Sequence, residues 1–292
     1  MAETRSRRPF VLRARDWVLN LGERTAVMGI LNVTPDSFSD KELYFAPEAA
    51  ADRAWQIAEE GADILDIGGE STRPGSLGIS AEEELRRVLP VLEGLAKGKK
   101  YPIPISVDTS KAEVARAALE RGASIINDIT SLRKDPAIGY EAAGYQAALI
   151  LMHMRGEPAN MQSIAPSPDI LKDIEIWAQE AVARAQSSGV SSNKIVLDPG
   201  VGFGKTAGQN IEIIRNLNRL ADAGFPILVG TSRKSFIGSI LKKPAGELVL
   251  GTCATVVASI LYGAHMVRVH DVAATREVAD VTDEIARAEI SS

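Results

Sequence analysis

The sequence predicts an α/β fold, a (β/α)8 TIM barrel with a short N-terminal β-hairpin. Three observations lead there. Short, β-rich apolar runs occur eight times along the 292 residues. Each run ends on a charged or hydrogen-bonding side chain, and most intervals between runs hold room for a helix with one apolar face. Chemistry in parallel α/β folds lies just beyond the carboxyl ends of the strands, so the same pattern nominates site residues.

Run 26–32 ends on Asn32, 64–66 on Asp66, 104–108 on Asp108 and 124–127 on Asn127. Run 147–153 ends on His153, 194–198 on Asp198, 226–232 on Ser232 and 266–270 on His270. These tips stand 34, 42, 19, 26, 45, 34 and 38 residues apart, a spacing that suits right-handed βαβ units. Nearly every run is apolar on both sides, as strands covered on both faces are. A doubly wound open sheet is the competing arrangement, and it would need edge strands with polar faces.

Between the runs, Leu85, Val88, Leu89 and Leu92 follow helical spacing, as do Val114, Ala117, Ala118 and Arg121. Ser110 before the second set and Gly122 after it read as start and stop signals. Further helices are expected at 47–60, 169–188, 209–223, 248–262 and 273–289, with a shorter one around 136–143. Partial alternation over 10–21 predicts a hairpin, within an extension over 1–25, that covers the barrel bottom. No Pro- or Gly-rich linker divides the chain, so 1–292 reads as one domain.

A chain that is 45% hydrophobic but only 5% aromatic suits packed parallel strands and covering helices. Its net charge of −5 offers no basic footprint, which argues against nucleic acid as a partner. No apolar run approaches the ~18 residues of a membrane span, and no apolar stretch of signal-peptide type follows Arg5, Arg7 and Arg8. The lone Cys253 fits a reducing cytoplasm and reads as a buried small hydrophobe of an apolar helix. The expected location is cytoplasmic.

In a barrel, Asn32, Asp66, Asp108, Asn127, Asp198, Lys234, Arg268 and His270 converge on one mouth. Carboxylates facing a flat heterocycle accept paired N–H bonds, and Asn offers donor and acceptor, so the array reads as a receptor for an aminopyrimidine-type edge. Arg73, Arg268 and His270 are cations that suit an anion, which Arg binds through paired hydrogen bonds. A single strand-end Asp can equally cap a helix, and this alternative holds for Asp108 before Ser110 and for Asp198 before Pro199-Gly200. Ser235 is placed at a helix N-terminus, where carboxylates and phosphates are favoured. The Gly200–Lys205 run has the look of a phosphate loop but lacks the Walker ending. His265 reads as structural. The scattered histidines give no zinc site, whereas Mg²⁺ would need few protein ligands and would ride on substrate phosphates.

Motifs stand at every strand tip. They are Met28-Gly-Ile-Leu-Asn-Val-Thr-Pro-Asp-Ser-Phe-Ser-Asp40, Asp66-Ile-Gly-Gly-Glu-Ser-Thr-Arg-Pro-Gly75, Ile105-Ser-Val-Asp-Thr-Ser-Lys111 and Ile126-Asn-Asp128. Leu151-Met-His-Met154, Leu197-Asp-Pro-Gly-Val-Gly-Phe-Gly-Lys205, Thr231-Ser-Arg-Lys-Ser-Phe-Ile-Gly238 and Arg268-Val-His-Asp271 follow in order. Together they resemble dihydropteroate synthase of folate biosynthesis. The resemblance implies condensation of 6-hydroxymethyl-7,8-dihydropterin pyrophosphate with p-aminobenzoate, with Mg²⁺ as cofactor, a homodimer and sulfonamides as inhibitors. It also implies residue roles. Asp108, Asn127, Asp198 and Lys234 would bind the pterin, with Asp66 as support. Asn32, Arg73, Arg268 and His270 would hold pyrophosphate, and Asn32 the metal. Phe38, Thr72, Pro74, Phe203, Lys234 and Ser235 would form the p-aminobenzoate site. Asp108, Lys234, Arg268 and His270 would carry the catalytic chemistry.

One departure stands in the first loop, where Lys41 and Glu42 replace the two glycines the family commonly has. Glycine reaches conformations closed to other residues, so altered loop closure and p-aminobenzoate affinity are expected. Two other functions stay open on sequence alone: a related pterin-binding methyltransferase domain that serves a corrinoid protein, and a non-catalytic pterin-binding paralogue.

Overall fold

A computed structural model describes residues 7–34, 47–73, 75–97 and 99–287. The chain opens with an antiparallel hairpin of β1 (Phe10–Ala14) and β2 (Trp17–Leu21), in which Phe10 pairs with Leu21 and Ala14 with Trp17. Alternation along the hairpin turns Leu12, Ala14 and Leu21 to one face, where they join Met28, Ile64, Ile125, Ile150 and Met266 in one buried cluster. The hairpin therefore seals the amino-terminal end of the barrel, as the sequence predicts. Burying a leucine in this way stabilises the fold by ~1.5–3 kcal/mol. Arg15 fixes the turn from outside by donating to Leu119 O at 2.6 Å and Ala123 O at 3.0 Å.

Eight parallel strands follow: β3 (Ala26–Asn32), β4 (Ile64–Gly68), β5 (Ile105–Asp108), β6 (Ile125–Asp128), β7 (Ala148–Met152), β8 (Ile195–Asp198), β9 (Leu228–Val229) and β10 (Met266–Val269). Each pairs with its successor, and β10 returns to pair with β3. The seam between β8 and β9 is a single bridge from Leu197 to Ile227, with Leu197 N–H donating to Pro226 O at 3.0 Å. The expected run 226–232 shortens to two residues, and Pro226 at its start has no N–H to give to the ladder. Closure of the ring excludes the open sheet.

The intervals carry α1 (Pro47–Glu59), α2 (Ala81–Leu95), α3 (Ala112–Glu120), α4 (Ala137–Gly144), α5 (Ile170–Ser187), α6 (Ala207–Arg215), α7 (Leu217–Ala221), α8 (Ser235–Leu241), α9 (Val249–Leu261) and α10 (Val272–Arg287). Their apolar faces pack on the outward residues of the strands, such as Val27, Leu65, Val107, Leu149 and Val267, in the largest buried cluster. Three sequence expectations change. The helix expected at 209–223 breaks at Asn216, whose φ of −124° is not helical and whose amide donates to Glu212 O at 2.7 Å. It also starts earlier, under a capping box of Thr206 and Gln209. Ser110 does not cap α3: the first helical N–H, of Ala112, goes to Asp135 Oδ2 at 2.7 Å. Cys253 is partly exposed on α9 and not buried.

Strand parity decides which tips reach the mouth. Ala26, Met28, Ile64, Ile125, Ala148, Ile150, Val196, Leu228 and Met266 all point inward. Counting on by twos, the inward set reaches Asn32, Asp66, Asn127, Met152, Asp198, Ser232 and His270, and on β5 Asp108 alternates with the outward Val107. His153 is out of phase. Its ring turns outward and packs 5.4 Å from the Trp177 ring of α5, so it is not a site residue. Among the described residues no helix is long and apolar enough to cross a membrane.

Candidate active site

The inward tips surround a cavity of about 820 Å³ at the carboxyl end of the barrel. At its base Arg268 bridges two carboxylates: Nε donates to Asp66 Oδ2 at 2.6 Å and Nη2 to Asp108 Oδ2 at 2.7 Å. Asn127 Nδ2 also donates to Asp66 Oδ2, at 3.4 Å. Asp66 is fully buried and absent from the cavity wall, which Asp108, Asn127 and Arg268 line. Asp66 thus holds Arg268 and Asn127 from behind. Burial pushes the Asp108 carboxyl upward, opposed by the Arg268 guanidinium; burial also disfavours the Arg268 charge, but Asp66 and Asp108 outweigh it and hold Arg268 above its ordinary value. Asp108 caps no helix.

Asp198 does take part in a turn, accepting from Gly200 N–H at 2.7 Å through Oδ1, and it still lines the cavity. Burial pushes its carboxyl up to about 6. Opposite it, Lys234 Nζ lies 4.0 Å from the centre of the Phe203 ring. Burial, and then the positive charge of Arg268, pushes Lys234 down to about 8. Lys234 caps α8, and Ser235 is the first residue of that helix. The backbone reaches this geometry through Arg233 at φ 56°, whose side chain is tied to Asp271 by bonds of 2.6 and 3.1 Å.

A second polar chain runs along the wall. His270 Nδ1 lies 2.9 Å from Ser232 Oγ, and Asn32 Nδ2 lies 3.4 Å from His270 Nε2. With the Asn32 amide donating, Nε2 accepts and Nδ1–H donates to Ser232. Burial, then Arg268, pushes His270 down to about 3, so the ring is neutral near pH 7. The cationic trio read from sequence is thereby corrected. His270 is uncharged, Arg268 is paired with two carboxylates, and Arg73 is an exposed rim cation that no carboxylate pairs among the described residues.

Thr72 and Arg73 ride on the loop after β4, which is anchored beneath by Lys111 between Glu70 and the fully buried Glu84. Thr72, Arg73, Phe203, Lys234 and Ser235 all line the cavity. Phe38 and Pro74, together with Lys41 and Glu42, lie outside the described residues. His265 is structural as expected: Nδ1 accepts from Ile227 N–H at 3.1 Å and Nε2 donates to Arg8 O at 3.0 Å. No group of three or more His, Cys, Asp or Glu able to hold a metal occurs among the described residues.

Sequence reasoning missed the apolar wall of Ile129, Met152, Met161 and Phe203's neighbour Val201. Parity along β7 would have found Met152, two residues beyond the inward Ile150. Met161 comes from a long connection with no periodic signal. It is fixed by contacts such as Gly75 N–H to Pro158 O at 2.9 Å, which joins this connection to the Thr72 loop.

Comparison with known proteins agrees with this geometry. A family described as pterin binding enzyme matches residues 28–270. A dihydropteroate synthase of Synechocystis is 46% identical over 273 residues, covering 93% of this chain and 92% of that protein. A Yersinia pestis dihydropteroate synthase, solved in complex with a sulfonamide drug, superposes with a TM-score of 0.89 at 42% identity, covering 96% of this chain and all of the other (100%). A Xanthomonas albilineans dihydropteroate synthase, solved with 4-aminobenzoic acid, gives a TM-score of 0.88 at 39% identity over 97% of this chain and 100% of that one. The chain belongs to the pterin-binding enzyme family, among the dihydropteroate synthases.

Proposed function

We propose that this barrel mouth condenses 6-hydroxymethyl-7,8-dihydropterin pyrophosphate with p-aminobenzoate, forming 7,8-dihydropteroate and pyrophosphate. The observation that carries the reading is the convergence of Asp108, Asn127, Asp198 and Lys234 with Asn32, Arg268 and His270 on one cavity. Asp108 and Asp198 accept the N–H groups of the pterin edge, Asn127 supplies donor and acceptor, and Lys234 donates to a ring acceptor. Asp66 supports the receptor through Arg268 and Asn127.

The reaction breaks the bond from the pterin methylene carbon to the pyrophosphate oxygen, and its electron pair leaves with that oxygen. The aniline lone pair of p-aminobenzoate then forms the carbon–nitrogen bond, and the nitrogen loses one proton. Positive charge that grows on the methylene is stabilised by Asp108. Negative charge that grows on pyrophosphate is met by Arg73 at the rim, by Arg268, and by His270 and Asn32 on the wall. Thr72, Phe203, Lys234 and Ser235 orient p-aminobenzoate, with Phe38 and Pro74 assigned to the same subsite by resemblance. Orientation and fixed charge carry the rate, with little covalent work by the protein.

Asn32 suits a Mg²⁺ ion. Its Nδ2 is committed to His270, which leaves Oδ1 as a hard oxygen donor, and substrate phosphates supply further oxygens. When bound, the ion neutralises charge on the leaving pyrophosphate. Sulfonamides, which carry an aniline, compete for the p-aminobenzoate side. A homodimer in the cytoplasm completes the proposal; exposed Leu241, Leu250 and Ile285 on the adjacent α8, α9 and α10 supply apolar surface for it, which sedimentation would test.

Pyrophosphate release with both substrates and Mg²⁺ tests the function. Turnover that depends on p-aminobenzoate is expected. Retained pterin binding without turnover would favour the non-catalytic reading, and methyl transfer to a corrinoid protein would favour the other.

A further inference from the structure

The loop between β8 and α6 has its glycines, Gly200, Gly202 and Gly204, at φ of 65°, 88° and 66°. A phosphate-cradling loop turns successive N–H groups inward. This loop turns carbonyls inward. Lys205 Nζ donates to Gly200 O at 2.8 Å, Phe203 O at 3.0 Å and His153 O at 3.1 Å. An ammonium has three donors, so the carbonyls use all of them. The interior of the loop is thus a cation seat already filled by the chain itself.

Packing from outside fixes the same segment. A Cβ on Gly200 would lie 1.9 Å from His153 O, and one on Gly204 would lie 2.3 Å from Arg155 O. The loop therefore lies directly against the extension of β7, and Lys205 ties the two together. Asp198 is fixed by β8 itself, whereas the backbone of Phe203 is carried by this loop and its ring packs with Ile129, Met152, Met154 and Met161. Its ring forms the wall of the mouth beneath Lys234. Burial pushes Lys205 down to about 7, with Asp198 opposing and Lys234 and Arg155 adding to the fall. Burial thus disfavours the Lys205 charge, and its hydrogen bonds face backbone rather than the cavity.

We propose that Lys205 is a positioning residue for p-aminobenzoate: by gathering three backbone carbonyls, it holds the Phe203 ring in register with Lys234. Lys205 touches no substrate and acts through Phe203. The inference rests on the function proposed above.

A double-mutant cycle tests it with full-length wild type, Lys205→Met, Phe203→Leu and the double variant. KM for p-aminobenzoate and kcat are read from pyrophosphate release, and the dissociation constant is measured for 6-hydroxymethyl-7,8-dihydropterin. Lys205→Met is expected to raise KM at least tenfold while the pterin constant changes less than threefold. In the Phe203→Leu background the same change should add less than threefold. An unchanged KM, a parallel loss of pterin affinity, or additive effects in the cycle would each overturn the proposal. Should Lys205→Met prove unfolded by circular dichroism, Lys205→Gln replaces it in the cycle; if neither folds, Lys205 is a structural residue and the proposal fails. Absence of turnover in the wild type would instead defeat the proposed function.

Discussion

Arg268 Nη2 donates to Asp108 Oδ2 at 2.7 Å, so the arginine that the sequence pattern offers to an anion is also the clamp on a central carboxylate. The same guanidinium reaches Asp66, and that second contact makes the pair separable by mutation.

Asp108→Ala is expected to lower turnover at least a hundredfold, the scale of ~3–4 kcal/mol for one transition-state electrostatic contact. The melting temperature should move by only a few degrees. Removal of Asp108 leaves Arg268 paired with Asp66, and it also removes a carboxyl that burial disfavours. Steady-state assays beside thermal melts check this. Equal collapse of both would reassign Asp108 to a structural role.

Asp198 links site chemistry to pH. Its carboxyl sits at about 6 in the folded protein against an ordinary 3.8, so the unfolded chain ionises first. Stability from the neutral form is present in full below pH 3.8 and is lost as pH rises through about 6. At pH 8 the buried ionised group then costs roughly 2–3 kcal/mol. Asp198→Asn keeps an acceptor for Gly200 N–H. The variant should melt above the wild type at pH 8, with the difference shrinking towards pH 4, while it binds 6-hydroxymethyl-7,8-dihydropterin at least tenfold more weakly. A lower melting point at pH 8 would refute the assignment.

Much of this site is legible in the sequence because barrel strands obey a period of two. Strand β3 has the bounds its run predicts, and the tip residues fall on the inward phase set by Met28, Ile64 or Ile150. His153 violates that phase, and counting back to Ile150 would have removed it from the tips. What stays illegible is pairing. Asp66 and Arg268 stand far apart in sequence, and only the closed ring shows that one neutralises the other. Charge state is illegible for the same reason: His270 loses its proton to burial and to Arg268, neither of which a motif records. At the start of the run that holds β9, Pro226 lacks a ladder N–H, which could have been read directly.

His270 should reveal itself through proton uptake. Held at about 3 by burial and then by Arg268, against an ordinary 6.5, it is neutral near pH 7. Its contribution to stability is present in full above pH 6.5 and is lost as pH falls towards 3. An anion beside Nε2 favours the imidazolium, so pyrophosphate binding is expected to take up a proton and to tighten as pH falls from 8 to 6. Calorimetry in buffers of different ionisation enthalpy measures the uptake. His270→Gln should reduce it relative to the wild type, and identical uptake in both proteins would exclude His270 as the acceptor.

Lys111 supports the Thr72–Arg73 loop from below, and its removal should register in both stability and KM. Glu84 is fully buried with Oε1 lacking a partner, and Lys111 is its counter-ion as well as that of Glu70. Lys111→Met leaves that carboxylate without a cation, a loss of ~3–5 kcal/mol. At ~2–4 °C per kcal/mol for a chain of this size, the melting point should fall by about 10 °C at pH 8. Burial already pushes the Glu84 carboxyl upward, so the variant can protonate it, and the deficit should narrow as pH falls. Adding Glu84→Gln to Lys111→Met should recover part of the stability, because the orphaned charge is gone. It should not recover KM for p-aminobenzoate, because Glu70 still lacks the anchor that holds Thr72 and Arg73 at the mouth. Recovery of both by the double variant would show that Lys111 serves the fold alone.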